Sequence, residues 1–261
     1  MSGLLRVGVL GAGGRMGATV CEAVAADAGL ELVAAVDPGH AGARAAGGGP
    51  EIAGSVDAVA AAGAEVVVDF TAREAALRNL EWCAARQLHA VVGTTGFGED
   101  DLARVGGWFP ASGPAGCVVA PNFAVGAVLM MRFAELAAPW FDTAEVIELH
   151  HDAKADAPSG TAMLTARRVA AAGGPWTPDP TRTEVVAGAR GGDVGGVRVH
   201  SVRLRGLVAH QEVLLGTTGQ SLSIRHDSYD RRSFMPGVLL AVKAVTSRPG
   251  LTVGLDDLLG L

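Results

Sequence analysis

Over its first half the chain alternates short apolar runs with longer alanine-rich stretches. Runs at residues 5–10, 31–36, 65–70, 88–92 and 117–119 have strand length, and several are separated by enough residues for a crossover helix. Near-continuous apolar runs in this rhythm predict a parallel sheet covered on both faces, since strands buried on both sides have no polar face to display. Thr71 with Glu74 three positions later reads as a capping box opening one of the helices. Residues 39–54, rich in Gly and Ala, read as a surface loop.

The pattern changes near residue 122. Residues 125–140 form a strongly apolar helical stretch, 143–150 read as a strand and 161–172 as a second helix. Residues 197–204, 211–215 and 221–225 then alternate apolar and polar positions around turn signals such as Thr217-Thr218-Gly219-Gln220. That alternation predicts antiparallel strands with one exposed face. A helix at 238–245 closes the chain and is expected to pack back on the first domain. The predicted fold class is α/β: a Rossmann-type domain at 1–121, completed by 232–261, and a second α+β domain at 122–231 with a mixed or antiparallel sheet.

Composition narrows the partners. A chain of 261 residues that is 49% hydrophobic can bury two cores, and its formal charge of −6 argues against a nucleic-acid backbone as ligand. Cys21, Cys83 and Cys117 lie far apart without metal-ligand spacing, so reduced thiols in a cytoplasmic protein are expected. No apolar stretch is long enough to span a membrane, and the start lacks the layout of a signal peptide.

Candidate chemistry begins at Gly11-Ala12-Gly13-Gly14-Arg15-Met16-Gly17, which follows a strand run and opens a helix. Glycine lets the backbone approach a pyrophosphate, and the helix start offers N–H groups and a positive dipole end to that anion. The spacing is one residue longer than the usual dinucleotide fingerprint. Asp37 ends the next apolar run, where a carboxylate can accept hydrogen bonds from a ribose diol and would repel a 2′-phosphate. Pro38 stands where an arginine would have helped to bind that phosphate. NADH is therefore expected to be favoured, with Arg15 or Arg44 leaving NADPH as the alternative. Phe70-Thr71, Gly93-Thr94-Thr95-Gly96 and Ala120-Pro121-Asn122-Phe123 each follow a strand run, and in an open parallel sheet ligands bind beyond the carboxyl ends of strands.

The densest cluster is Glu148-Leu149-His150-His151-Asp152-Ala153-Lys154-Ala155-Asp156-Ala157-Pro158-Ser159-Gly160-Thr161. Adjacent histidines lack the i, i+4 geometry of a zinc helix, so no metal is expected. On a continuous strand His150 and His151 would face opposite sides, and they can share a site only if the strand ends there. Histidine handles protons near neutrality, Lys154 supplies a cation, and Ser159-Gly160-Thr161 starts a helix that can hold an anion. Together they suit a small carboxylate-bearing substrate.

This run closely resembles the signature of the 4-hydroxy-tetrahydrodipicolinate (dihydrodipicolinate) reductase family. The resemblance extends through the glycine loop, Asp69-Phe70-Thr71, Gly93-Thr94-Thr95-Gly96, Ala120-Pro121-Asn122-Phe123, residues 203–212, His226-Asp227-Ser228 and Phe234-Met235-Pro236-Gly237. It implies a lysine and diaminopimelate pathway enzyme that reduces a cyclic imine dicarboxylate through loss of water, hydride transfer to ring C4 and protonation at C3. By position, His150 matches the family's proton donor or acceptor and Lys154 its second catalytic group. His151, Gly160 and Thr161 match substrate contacts, and Ser159 belongs to the same helix start. Gly11, Ala12, Gly13, Gly14, Arg15, Met16, Asp37, Phe70, Gly93, Thr94, Thr95, Ala120, Pro121, Asn122 and Phe123 match cofactor positions. The family also implies a homotetramer built through the second domain's sheet. Two departures stand out: Ala153, where many relatives carry a further histidine, and Pro38, where some carry a basic residue. A related imine or enone reductase of secondary metabolism is the alternative reading.

Overall fold

The computed structural model describes residues 3–261. The chain divides into two compact units, one running to Phe123 and resuming at Phe234–Leu261, the other Ala124–Ser233.

The first unit contains strands β1 (Leu5–Leu10), β2 (Leu30–Val36), β3 (Ile52–Ala53), β4 (Val66–Asp69), β5 (His89–Val92) and β6 (Gly116–Val119). Helices α1 (Arg15–Ala26), α2 (Asp57–Ala61), α3 (Arg73–Ala85) and α4 (Glu99–Trp108) alternate with them. Val7, Val9, Val66, Val68, Val91 and Val118 have no exposed surface, while Leu10, Val67, Leu80, Val92, Phe109 and Cys117 form one continuous cluster. Strands buried on both faces explain the unbroken apolar runs. Helix α1 shows why a helix follows the glycine loop: Gly17, Val20, Cys21 and Val24 make a single buried stripe.

The second unit begins with α5 (Val125–Ala137), β7 (Thr143–His150) and α6 (Gly160–Ala172). It continues with β8 (Gly192–Val194), β9 (Val197–Arg203), β10 (Ala209–Thr217) and β11 (Gln220–Ser228). The chain then returns to the first unit with α7 (Met235–Ala244), β12 (Gly250–Val253) and α8 (Asp256–Leu259). The first sheet, wholly parallel, has the order β12-β6-β5-β4-β1-β2-β3, and the second is β11-β10-β7-β9-β8. The second is mixed, because β7 and β9 run parallel while β10 pairs antiparallel with β7 and β11. Val146 and Glu148 on β7 and Val213 and Leu215 on β10 are buried, whereas Ile147, Leu149 and Leu214 on the opposite face are half-buried.

Three local expectations change. The capping box at Thr71 does not form: α3 starts at Arg73 with Ala72 as its cap, and the Thr71 hydroxyl donates instead to Asp69 Oδ1 at 2.7 Å. A buried carboxylate outcompetes the helix end for that hydroxyl. Residues 39–54 are more than a loop, since a bridge between Arg44 and Glu51 leads into β3, and Ala45 and Ile52 are buried. The apolar helix from 125 ends at Ala137, and Ala138–Trp140 tighten into a 3₁₀ turn holding Pro139. Strands β3, β8 and β12 carry too few residues to show a period, and only pairing creates them.

Candidate active site

In the first unit β1 ends at Leu10 and the chain turns through the glycine loop into α1. Gly11 has φ +76°, and its N–H and that of Ala12 both bond the Val36 carbonyl, which fastens the turn to β2. Helix α1 is capped by Gly14 without any side-chain hydrogen bond. The first N–H groups of a helix have no partner within it, so those of Arg15 and Met16 form a donor cluster that a diphosphate would fit. Gly17 lets the helix approach: a Cβ there would lie 2.0 Å from the Gly11 carbonyl oxygen.

Asp37, at the carboxyl end of β2, accepts hydrogen bonds from the N–H groups of Gly13 at 3.1 Å and Gly39 at 3.0 Å. His40 Nδ1 stands 3.2 Å away, and its ring lies against Gly13. Burial raises the Asp37 pKa, but His40 and the two N–H groups outweigh it and hold the carboxyl below its ordinary value. The group beside the glycine loop is thus anionic. His40 escaped the sequence reading because the local turn after Pro38 brings it there.

The other three loops meet at the same sheet edge. The Phe70 ring packs against Gly93 and lies 6.0 Å from the Phe123 ring, centroid to centroid. Thr94 and Ala120 are buried, the Ala120 N–H bonding the Val92 carbonyl. Thr94, Thr95, Phe97, Val119, Pro121 and Val253 line a mostly apolar pocket. Asp69 organises this edge, although the sequence reading gave it no role beyond membership of the Asp69-Phe70-Thr71 segment. Its buried carboxylate accepts from Thr71 N–H at 2.9 Å, Asn79 Nδ2 at 2.7 Å and Thr94 Oγ1 at 3.3 Å. Asn79 lies on α3 and Thr94 follows β5, so one carboxylate joins three elements.

The second unit carries the basic cluster. Strand β7 stops at His150, so His151 leaves the sheet and is exposed, while His150 is largely buried. Lys154 Nζ pairs with Asp156 Oδ1 at 2.7 Å. Ser159 is buried as the cap of α6, its Oγ accepting from Ala162 N–H at 3.2 Å. A Cβ at Gly160 would meet nothing within 4 Å, so the backbone there is open to approach.

Beneath the cluster lies a group that sequence reasoning did not single out. Glu148 has no exposed surface. Its two oxygens take a fork from Arg203, Nη2 at 2.8 Å and Nη1 at 2.9 Å, and Oε1 also accepts the Ser159 N–H at 3.2 Å. Oε2 meets His150 Nδ1 at 2.5 Å. Burial pushes the Glu148 carboxyl up, but Arg203, Ser201 and His150 outweigh it and keep it ionised. The His150 pKa is lowered as well, which for an imidazole favours the neutral form: burial lowers it, Glu148 opposes this, and the charges of Lys154 and Arg203 reinforce it. The imidazole is therefore held largely neutral at neutral pH. Burial also pushes the Cys21 and Cys83 thiols up to about 12, so neither supplies a thiolate.

A doubly wound sheet whose glycine turn at the carboxyl edge opens a helix that no side chain caps is the architecture of a dinucleotide-dependent oxidoreductase. Residues 5–123 match the family model "Dihydrodipicolinate reductase, N-terminus", and 126–259 match "Dihydrodipicolinate reductase, C-terminus". The 4-hydroxy-tetrahydrodipicolinate reductase of Nocardia farcinica is 56% identical over 98% of this chain and 99% of its own. That of Mycolicibacterium vanbaalenii is 52% identical over 98% and 100%. A solved dihydrodipicolinate reductase from Paenisporosarcina sp. TG-14, with dipicolinate bound, superposes with a TM-score of 0.87 at 38% identity, covering 97% of this chain and 99% of that one. The chain belongs to the 4-hydroxy-tetrahydrodipicolinate (dihydrodipicolinate) reductase family.

Proposed function

We infer that this protein reduces 4-hydroxy-tetrahydrodipicolinate to tetrahydrodipicolinate in lysine and diaminopimelate biosynthesis, as a cytoplasmic homotetramer that uses NADH in preference to NADPH. The observation that carries the reading is the assembly of His150 and the start of α6 on the ion pair of Arg203 with the buried Glu148, with Lys154 joined to the cluster through Asp156, in a chain whose relatives share its full length. A proton-handling imidazole, an ammonium and an anion-binding helix start are what a cyclic imine with two carboxylates requires. The dipicolinate in the Paenisporosarcina structure is a dicarboxylate of the same kind.

The first unit holds the dinucleotide in this reading. Gly11, Ala12, Gly13, Gly14, Arg15 and Met16 cradle its diphosphate, and Asp37 accepts from the ribose. Phe70, Gly93, Thr94, Thr95, Ala120, Pro121, Asn122 and Phe123 bound the nicotinamide end. When bound, the reduced nicotinamide supplies a hydride to ring C4 after water has left the substrate. His151, Ser159, Gly160 and Thr161 orient the substrate carboxylates, with Lys154 exchanging Asp156 for one of them. As C4 accepts the hydride, electron density moves toward the imine nitrogen, and Lys154 and His151 stabilise the charge. His150 or Lys154 delivers the proton to C3. Largely neutral and bonded through Nδ1, His150 carries a lone pair on Nε2, so as the donor it first takes a proton there from solvent and then gives it to C3, returning to the neutral ring.

The decisive assay condenses pyruvate with aspartate semialdehyde using the preceding synthase, then follows dinucleotide oxidation after this protein is added. Consumption of NADH is expected, with NADPH used less efficiently because Asp37 repels its 2′-phosphate. Oxidation of neither would sink the assignment, and equal efficiency would sink the preference. The half-buried sheet face of Ile147, Leu149 and Leu214 supports assembly through the second unit. Native mass spectrometry should give four copies per particle; a monomer would refute that part.

A further inference from the structure

We propose that Glu148 is a positioning residue that fixes the tautomer of His150 and, through the same two oxygens, sets the helix start that faces the substrate. The proposal rests on the role given above to His150 as a proton carrier.

The argument starts from hydrogen-bond inventory. An ionised carboxylate can only accept, so the hydrogen shared at 2.5 Å with Glu148 Oε2 belongs to His150 Nδ1. Neutral imidazole carries one hydrogen, which leaves Nε2 with a lone pair. Without that partner the hydrogen would distribute between the two nitrogens, and the ring could rotate about χ2. Arg203 keeps the carboxylate charged by its fork and cannot itself lose a proton, so the arrangement does not depend on pH near neutrality. Oε1 meanwhile holds the Ser159 N–H, and the Arg203 Nη2 that faces Oε1 also donates to the Asp156 carbonyl at 2.6 Å. The last part of the loop, at Asp156 and Ser159, is thereby pinned to the same ion pair that holds the His150 ring before the loop. Ring orientation and helix position become a single variable. The same logic orients metal-bound and nucleophile-activating histidines, whose second nitrogen is occupied by a carboxylate.

The charges that act on His150 are Glu148, at hydrogen-bond distance, and those of Lys154 and Arg203. Removing the negative charge of Glu148 leaves two cations and burial acting in one direction, so protonation of His150 becomes harder. Any limb of the pH–rate profile that reports His150 should therefore move to lower pH in Glu148→Gln. In that variant kcat should fall by about 10- to 100-fold, the usual cost of losing an orienting partner, with a smaller change in KM. The same substitution placed on His150→Asn should cost little more in kcat, because the ring it positions is gone, and should keep only the change in KM that acts through the start of α6. Nitrogen NMR of the histidine-labelled parent, assigned with His150→Asn, should show Nδ1 protonated; this readout stands even where Glu148→Gln does not fold. An Nε2-protonated ring, or an equal loss from Glu148→Gln in both backgrounds, overturns the proposal. A parent enzyme inert toward the cyclic imine would instead overturn the function, while the tautomer readout still decides this inference.

Discussion

His150→Asn and Lys154→Met are each expected to lower kcat by about 10²- to 10⁴-fold, the range attributed to a positioned acid or base, while the affinity for NADH stays near that of the parent. The partners of both side chains lie in the second unit: Glu148, Asp156 and Arg203. None belongs to the glycine loop or to the carboxyl edge of the first sheet. Lys154→Met should also raise KM, since it removes a cation that a carboxylate would meet, whereas His150→Asn should act mainly on kcat. Steady-state kinetics beside a fluorescence titration with NADH separates these effects. Loss of cofactor affinity in either variant would show that the residues have been given the wrong task.

The second large effect is expected from a single methyl group. In Gly17→Ala the new Cβ would lie 2.0 Å from the Gly11 carbonyl oxygen, 2.6 Å from the Gly11 carbonyl carbon and 2.9 Å from Ala12 Cα. All three are backbone atoms, so no side chain can swing aside. The loop and the helix must separate, at a cost of about 1–3 kcal/mol for an overpacked site. The N–H groups of Arg15 and Met16 would then lose their aim, and NADH should bind about tenfold or more weakly, which corresponds to about 1.4 kcal/mol. Calorimetry for NADH and a thermal melt check the two parts. Gly107→Ala is the control: it is exposed on α4 with nothing within 4 Å of the added atom, and it should be neutral or slightly stabilising. A Gly17→Ala protein with unchanged Tm and unchanged affinity would mean the close approach is not required.

The strands of the first sheet were readable because burial on both faces leaves a mark in every residue. Val66, Val67 and Val68 are all buried, and no other element needs three valines before an aspartate. The same holds for the glycine loop, where Gly11 and Gly17 answer to atoms a few residues away. β7 was readable as a strand over residues 143–150, although its buried face carries Glu148 and its other face Ile147 and Leu149. By contrast, β12 has four residues, the first of them Gly250 at positive φ and with Gly254 at positive φ just beyond its end, and becomes a strand only beside β6. Thr71 was misread because its sequence neighbour Glu74 fits a cap, while the competing acceptor Asp69 is buried by the fold.

For the candidate site the division falls between kinds of chemistry and their arrangement. Local spacing alone placed an anion-binding turn before an acidic strand end, and a histidine pair, a lysine and a helix start within one short run. Those features depend on neighbours along the chain, so the amino-acid order determines them. Tertiary structure decided which of the two histidines is buried, by ending β7 at His150. It also set Glu148 beneath that ring, because Arg203 arrives from β9, fifty-five residues later, to keep the carboxylate charged. Asp69 gains its role in the same way, from Asn79 and Thr94 on other elements. A buried charge is tolerable only with partners, and partners from distant strands exist only once the sheet has formed. The sequence alone thus determined the reagents, and the fold decided how their protons are held.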